Sequence, residues 1–285
     1  MHDSIKSRLG AVLGAMLVLT ASAGVLEQPL NILFLGNSLT QNSDVPGAMS
    51  AIATTAGHPA PTMKRQILWG LPLTNHIIVI STAAPNDIIR ASLPSTQNWD
   101  FVVLQDYMDD EKTYGGPTWP QKTVSNSQTL AGWAFERSSN AVIVMYQWGG
   151  RSNDQPASCT NLHTAYAAAR DNIRVVFGAS KAVLSPSGDA WKHEGYQNLY
   201  ADGLHQNNRG ALLSAMVLYG TMYKDPAITA INGTNFATTS WAVSQAITLA
   251  DWLDLAPHAE AVLPEPFAAA LALALALAVT RSKRL

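Results

Sequence analysis

The chain has 285 residues, of which 47% are hydrophobic and only 13% charged, and its formal net charge is −2. That length suits one α/β domain with enough apolar surface to bury a substantial core. Cys159 is the single cysteine, which excludes an internal disulfide, and we expect it to be a small apolar or loop residue rather than a nucleophile.

The first segment in chain order has the pattern of a secretory signal peptide. Lys6 and Arg8 give it a positive start, residues 11–20 form an apolar run, and Ala21-Ser22-Ala23 is an A-x-A cleavage site. The run is shorter than the ~20 apolar residues of a membrane span, and a first helix of the domain is the alternative. We therefore expect residues 1–23 to be a signal peptide and residues 24–255 to form the domain.

Strand-like and helix-like segments alternate through this domain. Strands are predicted at Asn31–Leu35, Met63–Trp69, Asp100–Leu104, Ala141–Tyr146 and Ala182–Ser185, and helices at Pro46–Ala56, Thr129–Ser138, Leu162–Phe177 and Ala211–Tyr223. The alternation indicates a three-layer α/β/α fold in which helices cover both faces of a mostly parallel, five-stranded sheet. Tyr107–Gln128 is expected to be a polar loop, and Ser240–Leu253 one more surface helix before a linker at 256–263.

The last segment in chain order has three parts. Pro264-Glu265-Pro266 precedes an apolar run at 267–279, and Arg281, Lys283 and Arg284 follow it. A helix of this run is roughly 20 Å long, short of a ~30 Å hydrocarbon core, and its basic end is expected to stay in the cytoplasm. The tail resembles the sorting signal processed by exosortases in Gram-negative bacteria, and a plain membrane anchor is the alternative.

The two terminal segments point to the same location for the domain. The resemblance implies a signal peptidase and an exosortase-like enzyme as processing partners, transient membrane insertion of the tail at 264–285, and a periplasmic, cell-surface or extracellular location. Setting aside the seven charged residues of the two segments leaves 13 basic and 18 acidic residues, a net charge of about −5. Since no Lys/Arg cluster remains, a nucleic-acid partner is not expected.

The strongest chemical signal follows the first predicted strand, in Gly36-Asn37-Ser38-Leu39. A serine just beyond a buried strand lies where open α/β sheets bind ligands, and glycine before it permits a tight turn. The hydroxyl becomes a nucleophile only when a base takes its proton. Taken alone, the triplet is also typical of an ordinary helix N-cap.

A base occurs at the other end of the domain, in Asp202-Gly203-Leu204-His205. Asp202 can hold one imidazole nitrogen of His205 and leave the other facing a serine. The alternative is that Asp202 caps a turn and that His205 is solvated. With Ser38 at a strand end, we favour the catalytic interpretation, in which Ser38, Asp202 and His205 form a triad.

At these residues the sequence resembles the SGNH, or GDSL-like, hydrolases. Gly36-Asn37-Ser38-Leu39 is similar to the first block of that family, with Asn where Asp is commoner, and Asp202-x-x-His205 to its last block. The resemblance implies a flavodoxin-like sheet, ester hydrolysis and an oxyanion hole. By this resemblance the hole is made by the backbone N–H groups of Ser38 and Gly70 and by a side-chain amide, here Gln105 in place of the usual Asn.

Four residues are predicted to bind substrate. Asn37 precedes the nucleophile, and His76 follows Gly70, where a core or surface histidine is the alternative. Trp148 and Trp191 lie in stretches similar to a divergent branch of the family, at sheet ends that would face the cleft. Trp69, Trp119, Trp148 and Trp191 are all near predicted strand ends or loops, where an indole can stack on a sugar ring. Core packing explains each of them equally well.

No cofactor and no metal are expected. No Cys/His/Asp group has zinc-like spacing, His193 and Glu194 are expected in a solvated loop, and the acidic residues Asp106, Asp109, Asp110 and Glu111 are predicted to form a solvated turn rather than a calcium site. The predicted function is an exported serine esterase that hydrolyses acyl esters, such as O-acetyl groups, on a small molecule or a cell-surface or secreted polysaccharide. An acyltransferase of the same fold and a non-catalytic carbohydrate-binding module are the alternatives.

Overall fold

The computed structural model describes residues 26–82, 88–107 and 119–263. The predicted signal peptide at 1–23, the predicted sorting tail at 264–285 and the acidic residues at 109–111 lie outside these ranges. Within the described ranges, no helix combines the length and the apolar character needed to cross a membrane.

A parallel sheet of five strands forms the centre of the described domain. The strands are β1 (Asn31–Gly36), β2 (Thr62–Ile67), β3 (Phe101–Leu104), β4 (Val142–Tyr146) and β5 (Ala182–Ser185). Their order is β2-β1-β3-β4-β5, and every neighbouring pair is parallel. This arrangement confirms the predicted three-layer α/β fold. In such an order the chain reverses its direction of winding between β1 and β3, and open sheets bind ligands at that switch point.

Helices cover both faces of the sheet. They are α1 (Ser38–Gln41), α2 (Val45–Thr55), α3 (Leu73–Thr82), α4 (Ile88–Ala91), α5 (Trp119–Arg137), α6 (Ala157–Phe177), α7 (Ser187–Glu194), α8 (Asn208–Tyr223), α9 (Gly233–Ala237), α10 (Ser240–Ser244) and α11 (Leu249–Glu260). Ile32 and Phe34 of β1 pack into the hydrophobic cluster shared with α2, α8 and α11, whereas Leu33 and Leu35 pack into the cluster shared with α3, α5 and α6. Because both faces of β1 are buried, its apolar run is continuous rather than alternating.

The structure corrects three of the predicted elements. Tyr107–Gln128 is not a loop throughout, because α5 begins at Trp119. His193 and Glu194, expected in a solvated loop, end helix α7. The single helix predicted at Ser240–Leu253 is two helices, α10 and α11, and α11 continues through residues 256–260, where a linker was expected.

The break between α10 and α11 has a local cause. Ala246 has a φ of 53°, in the left-handed region that L-residues adopt infrequently. The Thr248 side chain accepts from the Asp251 backbone N–H, and the Asp251 carboxylate accepts from the Thr248 N–H. This capping box starts a new helix at Leu249.

Candidate active site

The nucleophile candidate lies at the carboxyl end of the central strand β1. Asn37 caps α1 by accepting from the Leu39 backbone N–H at 2.9 Å, so that Ser38 is the first helical residue. Gly36 is required before this turn, since a Cβ atom there would overlap the Thr40 side chain. The short turn therefore fixes the Ser38 backbone at the ligand-binding edge of the sheet.

The structure brings Ser38, His205 and Asp202 together. His205 Nε2 lies 3.0 Å from Ser38 Oγ, and His205 Nδ1 lies 2.8 Å from Asp202 Oδ2. With Nδ1–H donating to the carboxylate, Nε2 carries a lone pair that can accept the serine hydroxyl proton. These distances meet what a nucleophile, a base and an orienting carboxylate require of each other.

Asp202 holds its own loop as well as the imidazole. Its Oδ1 accepts from the backbone N–H groups of Leu204 at 3.1 Å and His205 at 2.7 Å. The hydrogen bond from the His205 ring, followed by that from the His205 backbone N–H, lowers the pKa of Asp202 to about 2. The carboxylate is therefore ionised throughout the neutral range and can hold one imidazole tautomer there.

Two amide side chains without a predicted role hold this loop in place. Gln206 Nε2 donates to the carbonyl groups of Leu39 at 2.7 Å and Asn42 at 3.0 Å. These bonds link the loop that carries Asp202 and His205 to helix α1, which begins at Ser38. Asn207 caps α8 by accepting from the Arg209 and Gly210 N–H groups. An Asn directly before a helix is a recognisable N-cap signal, whereas the reach of Gln206 to a distant helix has no local sequence signal.

Gly70 lies in a turn beside the nucleophile. The turn runs from Leu68 to Leu71, whose backbone N–H donates to the Leu68 carbonyl at 3.1 Å, and Gly70 has a φ of +65°. A positive φ at the third position of a turn favours glycine. The oxyanion roles of the Ser38 and Gly70 N–H groups remain predictions.

Gln105 holds the turn at residues 36–40, which carries Ser38 and which we call the nucleophile turn. Its Oε1 accepts from the Asn37 backbone N–H at 3.1 Å and from Thr40 Oγ1 at 3.0 Å, while its Nε2 donates to the Asp106 carbonyl. Because the Asn37 N–H can only donate, these partners fix which end of the amide is oxygen. The described contacts show Gln105 as a support of the turn, and oxyanion donation by its amide remains a prediction.

Two substitutions test the supporting role of Gln105. Gln105→Met is expected to lower the free energy of unfolding by about 1–3 kcal/mol, because it leaves the buried Asn37 N–H without an acceptor. Gln105→Glu keeps the acceptor oxygen, and only its protonated form can also donate to the Asp106 carbonyl, so we expect it to recover most of this stability at acidic pH, where the two variants are compared. Denaturant unfolding of both variants measures the difference; equal losses would contradict the supporting role.

Asp106 is buried and links neighbouring elements through hydrogen bonds, which corrects its prediction as part of a solvated turn. Its Oδ1 accepts from the Leu73 backbone N–H at 2.8 Å, and its Oδ2 accepts from Thr123 Oγ1 at 2.7 Å. Burial raises the pKa of this carboxyl group. Asp106 thus joins the end of β3 to the start of α3 and to α5.

The four predicted substrate-binding residues are buried, which for His76, Trp148 and Trp191 agrees with the alternative of core packing, and a role in substrate binding stays a prediction for all four. Asn37 and His76 are fully buried, and Trp148 and Trp191 are 2% and 1% exposed. Asn37 Nδ2 donates to the Leu71 carbonyl at 3.2 Å, and Trp191 Nε1 to Ser214 Oγ at 3.1 Å. In the structure the described contacts of these side chains are with other parts of the protein, and those of Asn37 hold the turn that carries Ser38.

His76 lies beneath the turn that carries Ser38. Its Nε2 donates to the Gly36 carbonyl at 3.1 Å, and the terminal amide of Gln66 lies 2.9 Å from Nδ1. Burial lowers the pKa of His76 from 6.5 to about 4. The ring is therefore neutral at pH 7, and its protonation would place an uncompensated charge under the nucleophile turn.

This shifted pKa predicts a loss of stability in acid. Since the folded pKa of His76 lies below the unfolded value, its contribution is complete above about pH 6.5 and is lost as pH falls toward 4. The difference corresponds to about 3 kcal/mol. Urea unfolding at several pH values checks this, with His76→Gln as the comparison; an identical pH slope in both proteins would contradict the assignment.

Two other groups bear on alternative chemistries. Cys159 is buried, its thiol donates to the Gly188 carbonyl at 3.1 Å, and burial raises its pKa to about 11. Such a thiol is a poor nucleophile. Among the described residues, no group of three or more His, Cys, Asp and Glu side chains is arranged to hold a metal ion.

Solved structures with a similar fold come from several organisms. A proposed platelet activating factor from Streptococcus pneumonia has a TM-score of 0.50 and 13% identity, with 70% of this chain and 87% of that chain covered. A carbohydrate esterase family 3 protein from Talaromyces cellulolyticus has a TM-score of 0.48 and 16% identity, over 68% of this chain and 97% of that one. A proposed GDSL-like lipase from Parabacteroides merdae has a TM-score of 0.48 and 12% identity, with 71% of this chain and 99% of that chain covered.

These similarities concern the fold alone, because the identities are low. No protein-family model matches the chain. No curated protein matches it either. The case for a function therefore depends on the site itself.

Proposed function

We propose that this protein is a serine hydrolase that cleaves carboxylic esters through an acyl-enzyme. The observation that carries the proposal is the continuous set of contacts from Ser38 Oγ through His205 to Asp202, at 3.0 and 2.8 Å. A hydroxyl, a base and an orienting carboxylate in this order are the parts that nucleophilic acyl transfer needs. Their position at the carboxyl end of β1, beside the switch point of the sheet, adds support.

The chemistry follows from these contacts. Ser38 Oγ attacks the ester carbonyl carbon while His205 Nε2 takes its proton, and the imidazolium then returns this proton to the leaving alkoxide. Water, activated by the same nitrogen, attacks the acyl-enzyme and releases the acid and free Ser38. Asp202 holds Nδ1–H throughout and stabilises the imidazolium.

The oxyanion that forms at the carbonyl needs donors. We assign this role to the backbone N–H groups of Ser38 and Gly70 and, through the family resemblance, to the Gln105 amide. One such donor typically contributes about 3 kcal/mol to the transition state. The contacts of Gln105 with Asn37 and Thr40 support a turn-holding role for it beside that one.

The direct experiment uses the purified domain with p-nitrophenyl acetate and a fluorophosphonate probe. We expect release of p-nitrophenol and covalent labelling at Ser38, located by peptide mass spectrometry. A folded protein that neither hydrolyses the ester nor takes up the probe would exclude the serine hydrolase. Preferential transfer of the acetyl group to an added sugar, in place of hydrolysis, would indicate the acyltransferase.

We further propose that the enzyme acts outside the cytoplasm, on acyl esters such as O-acetyl groups of a cell-surface or secreted polysaccharide. The support is the sequence pattern of residues 1–23 and 264–285. Intact-mass analysis of protein recovered from the native host is expected to show a chain that begins at residue 24. A full-length product confined to the cytoplasm would contradict export.

A further inference from the structure

Trp69 is an exposed aromatic side chain next to the candidate active site. Among the tryptophans near predicted strand ends, Trp148 and Trp191 are buried, whereas Trp69 is 61% exposed. An indole is among the largest apolar side chains, and interfaces and ligand sites use it as an anchor. An exposed tryptophan at the ligand-binding edge of an α/β sheet therefore needs an explanation that core packing does not give.

The turn that carries Trp69 is attached directly to the nucleophile turn. The Leu68 backbone N–H donates to the Gly36 carbonyl at 2.9 Å, and Asn37 Nδ2 donates to the Leu71 carbonyl at 3.2 Å. Trp69 is thus held between two hydrogen bonds to the two residues that precede Ser38. The indole is exposed, but its backbone has a fixed position relative to the reacting atom, which is what a substrate-positioning residue requires.

The exposure of Trp69 favours a rigid ring over a flexible chain as its occupant. An acyl chain gains most in a concave pocket that encloses it, whereas Trp69 is an exposed side chain in the turn from Leu68 to Leu71. A pyranose ring can bury one apolar face against that surface and loses little conformational entropy on binding. The net charge of about −5 outside the terminal segments also favours a neutral ligand over an anionic one.

We propose that Trp69 is a stacking platform for the sugar ring of a neutral acylated glycan, which it positions with its ester at Ser38. This inference rests on the proposed ester hydrolysis and names its substrate class. Trp69 is a positioning residue that contacts the sugar and takes no part in proton transfer. Its removal should therefore act mainly on the KM for sugar esters.

The test compares Trp69→Ala with the wild type on two esters. On an O-acetylated xylo-oligosaccharide, kcat/KM is expected to fall about tenfold further than on p-nitrophenyl acetate, with the difference in KM. Trp69→Phe should recover most of the loss. The control is Leu253→Ala, which removes another exposed apolar side chain, 64% exposed on α11, and should change neither value.

Three outcomes would overturn the inference. Equal losses on both esters would indicate a structural role of Trp69, no loss would leave it without a role, and a loss specific to p-nitrophenyl octanoate would assign it to the acyl chain. A binding measurement distinguishes failure of this inference from failure of the proposed ester hydrolysis. In a Ser38→Ala background, an unacetylated xylo-oligosaccharide should quench tryptophan fluorescence, and Trp69→Phe should alter that signal even if no ester is ever cleaved.

Discussion

Replacing Ser38 by alanine is expected to lower kcat for p-nitrophenyl acetate by at least about 10³-fold, because no other described hydroxyl lies in contact with His205 Nε2. The loss should appear in kcat and kcat/KM alike, since the covalent bond forms only beyond the ground state. Fluorophosphonate labelling should disappear together with activity. Stopped-assay kinetics and intact-mass spectrometry measure the two effects.

The variant should fold normally. The contacts that shape the turn come from the Asn37 side chain and from Gln105, and alanine at position 38 removes none of them. Ser50→Ala on helix α2 is the matched control, since it deletes a serine hydroxyl away from His205. A Ser38→Ala protein that kept its melting temperature and its full activity would show that another residue is the nucleophile.

The fold, and with it the edge of the sheet at which Ser38 lies, was predictable from the sequence because it depends on topology. The apolar run before Gly36 predicts a strand buried on both faces, and the alternation of elements predicts a parallel sheet. Carboxyl ends of parallel strands share one edge, so Ser38 was expected there. His205 lies 167 residues after Ser38, and its approach to 3.0 Å depends on tertiary packing. The family resemblance predicted this contact, whereas the periodicity of the sequence did not.

Which tryptophans are buried was not predictable from the sequence, for a physical reason. Trp148, Trp191 and Trp69 all lie near strand ends, and a local sequence does not show which of them a neighbouring helix will cover. Trp191 is covered because Gly149 and Gly210 leave room for its ring, whereas Trp69, in a turn after β2, is 61% exposed. The burial of His76 has a similar cause, since its partner Gly36 lies 40 residues away.

The break between α10 and α11 does have a local sequence signal. Thr248 and Asp251 are spaced as a capping box, which predicts a helix start and so a break after Ser240–Ser244. Gln105 differs, because its contact with the Asn37 N–H joins the ends of β3 and β1. Only the register of two adjacent strands places that amide beneath the nucleophile turn.

Substitution of Asp202 by asparagine is expected to lower kcat by about 10³- to 10⁴-fold, as the loss of the correct imidazole tautomer does in a serine triad. The direction follows from the contacts of this carboxylate. Its Oδ1 accepts from two backbone N–H groups, so an asparagine keeps its oxygen there. The NH₂ group must then face His205 Nδ1.

An amide that donates to Nδ1 stabilises the tautomer with its proton on Nε2, which can no longer accept from Ser38. Asp202→Ala does not fix which nitrogen of the His205 ring carries the proton. We therefore expect Asp202→Asn to lower kcat at least as much as Asp202→Ala, although asparagine preserves the loop contacts better. Asp254→Asn is the matched control, since both carboxylates are similarly exposed, at 55% and 57%. Kinetics and ¹⁵N NMR of the His205 ring measure the effect. An Asn variant clearly more active than the Ala variant would mean that Asp202 acts through its loop contacts rather than by setting the tautomer, because those contacts are what asparagine retains.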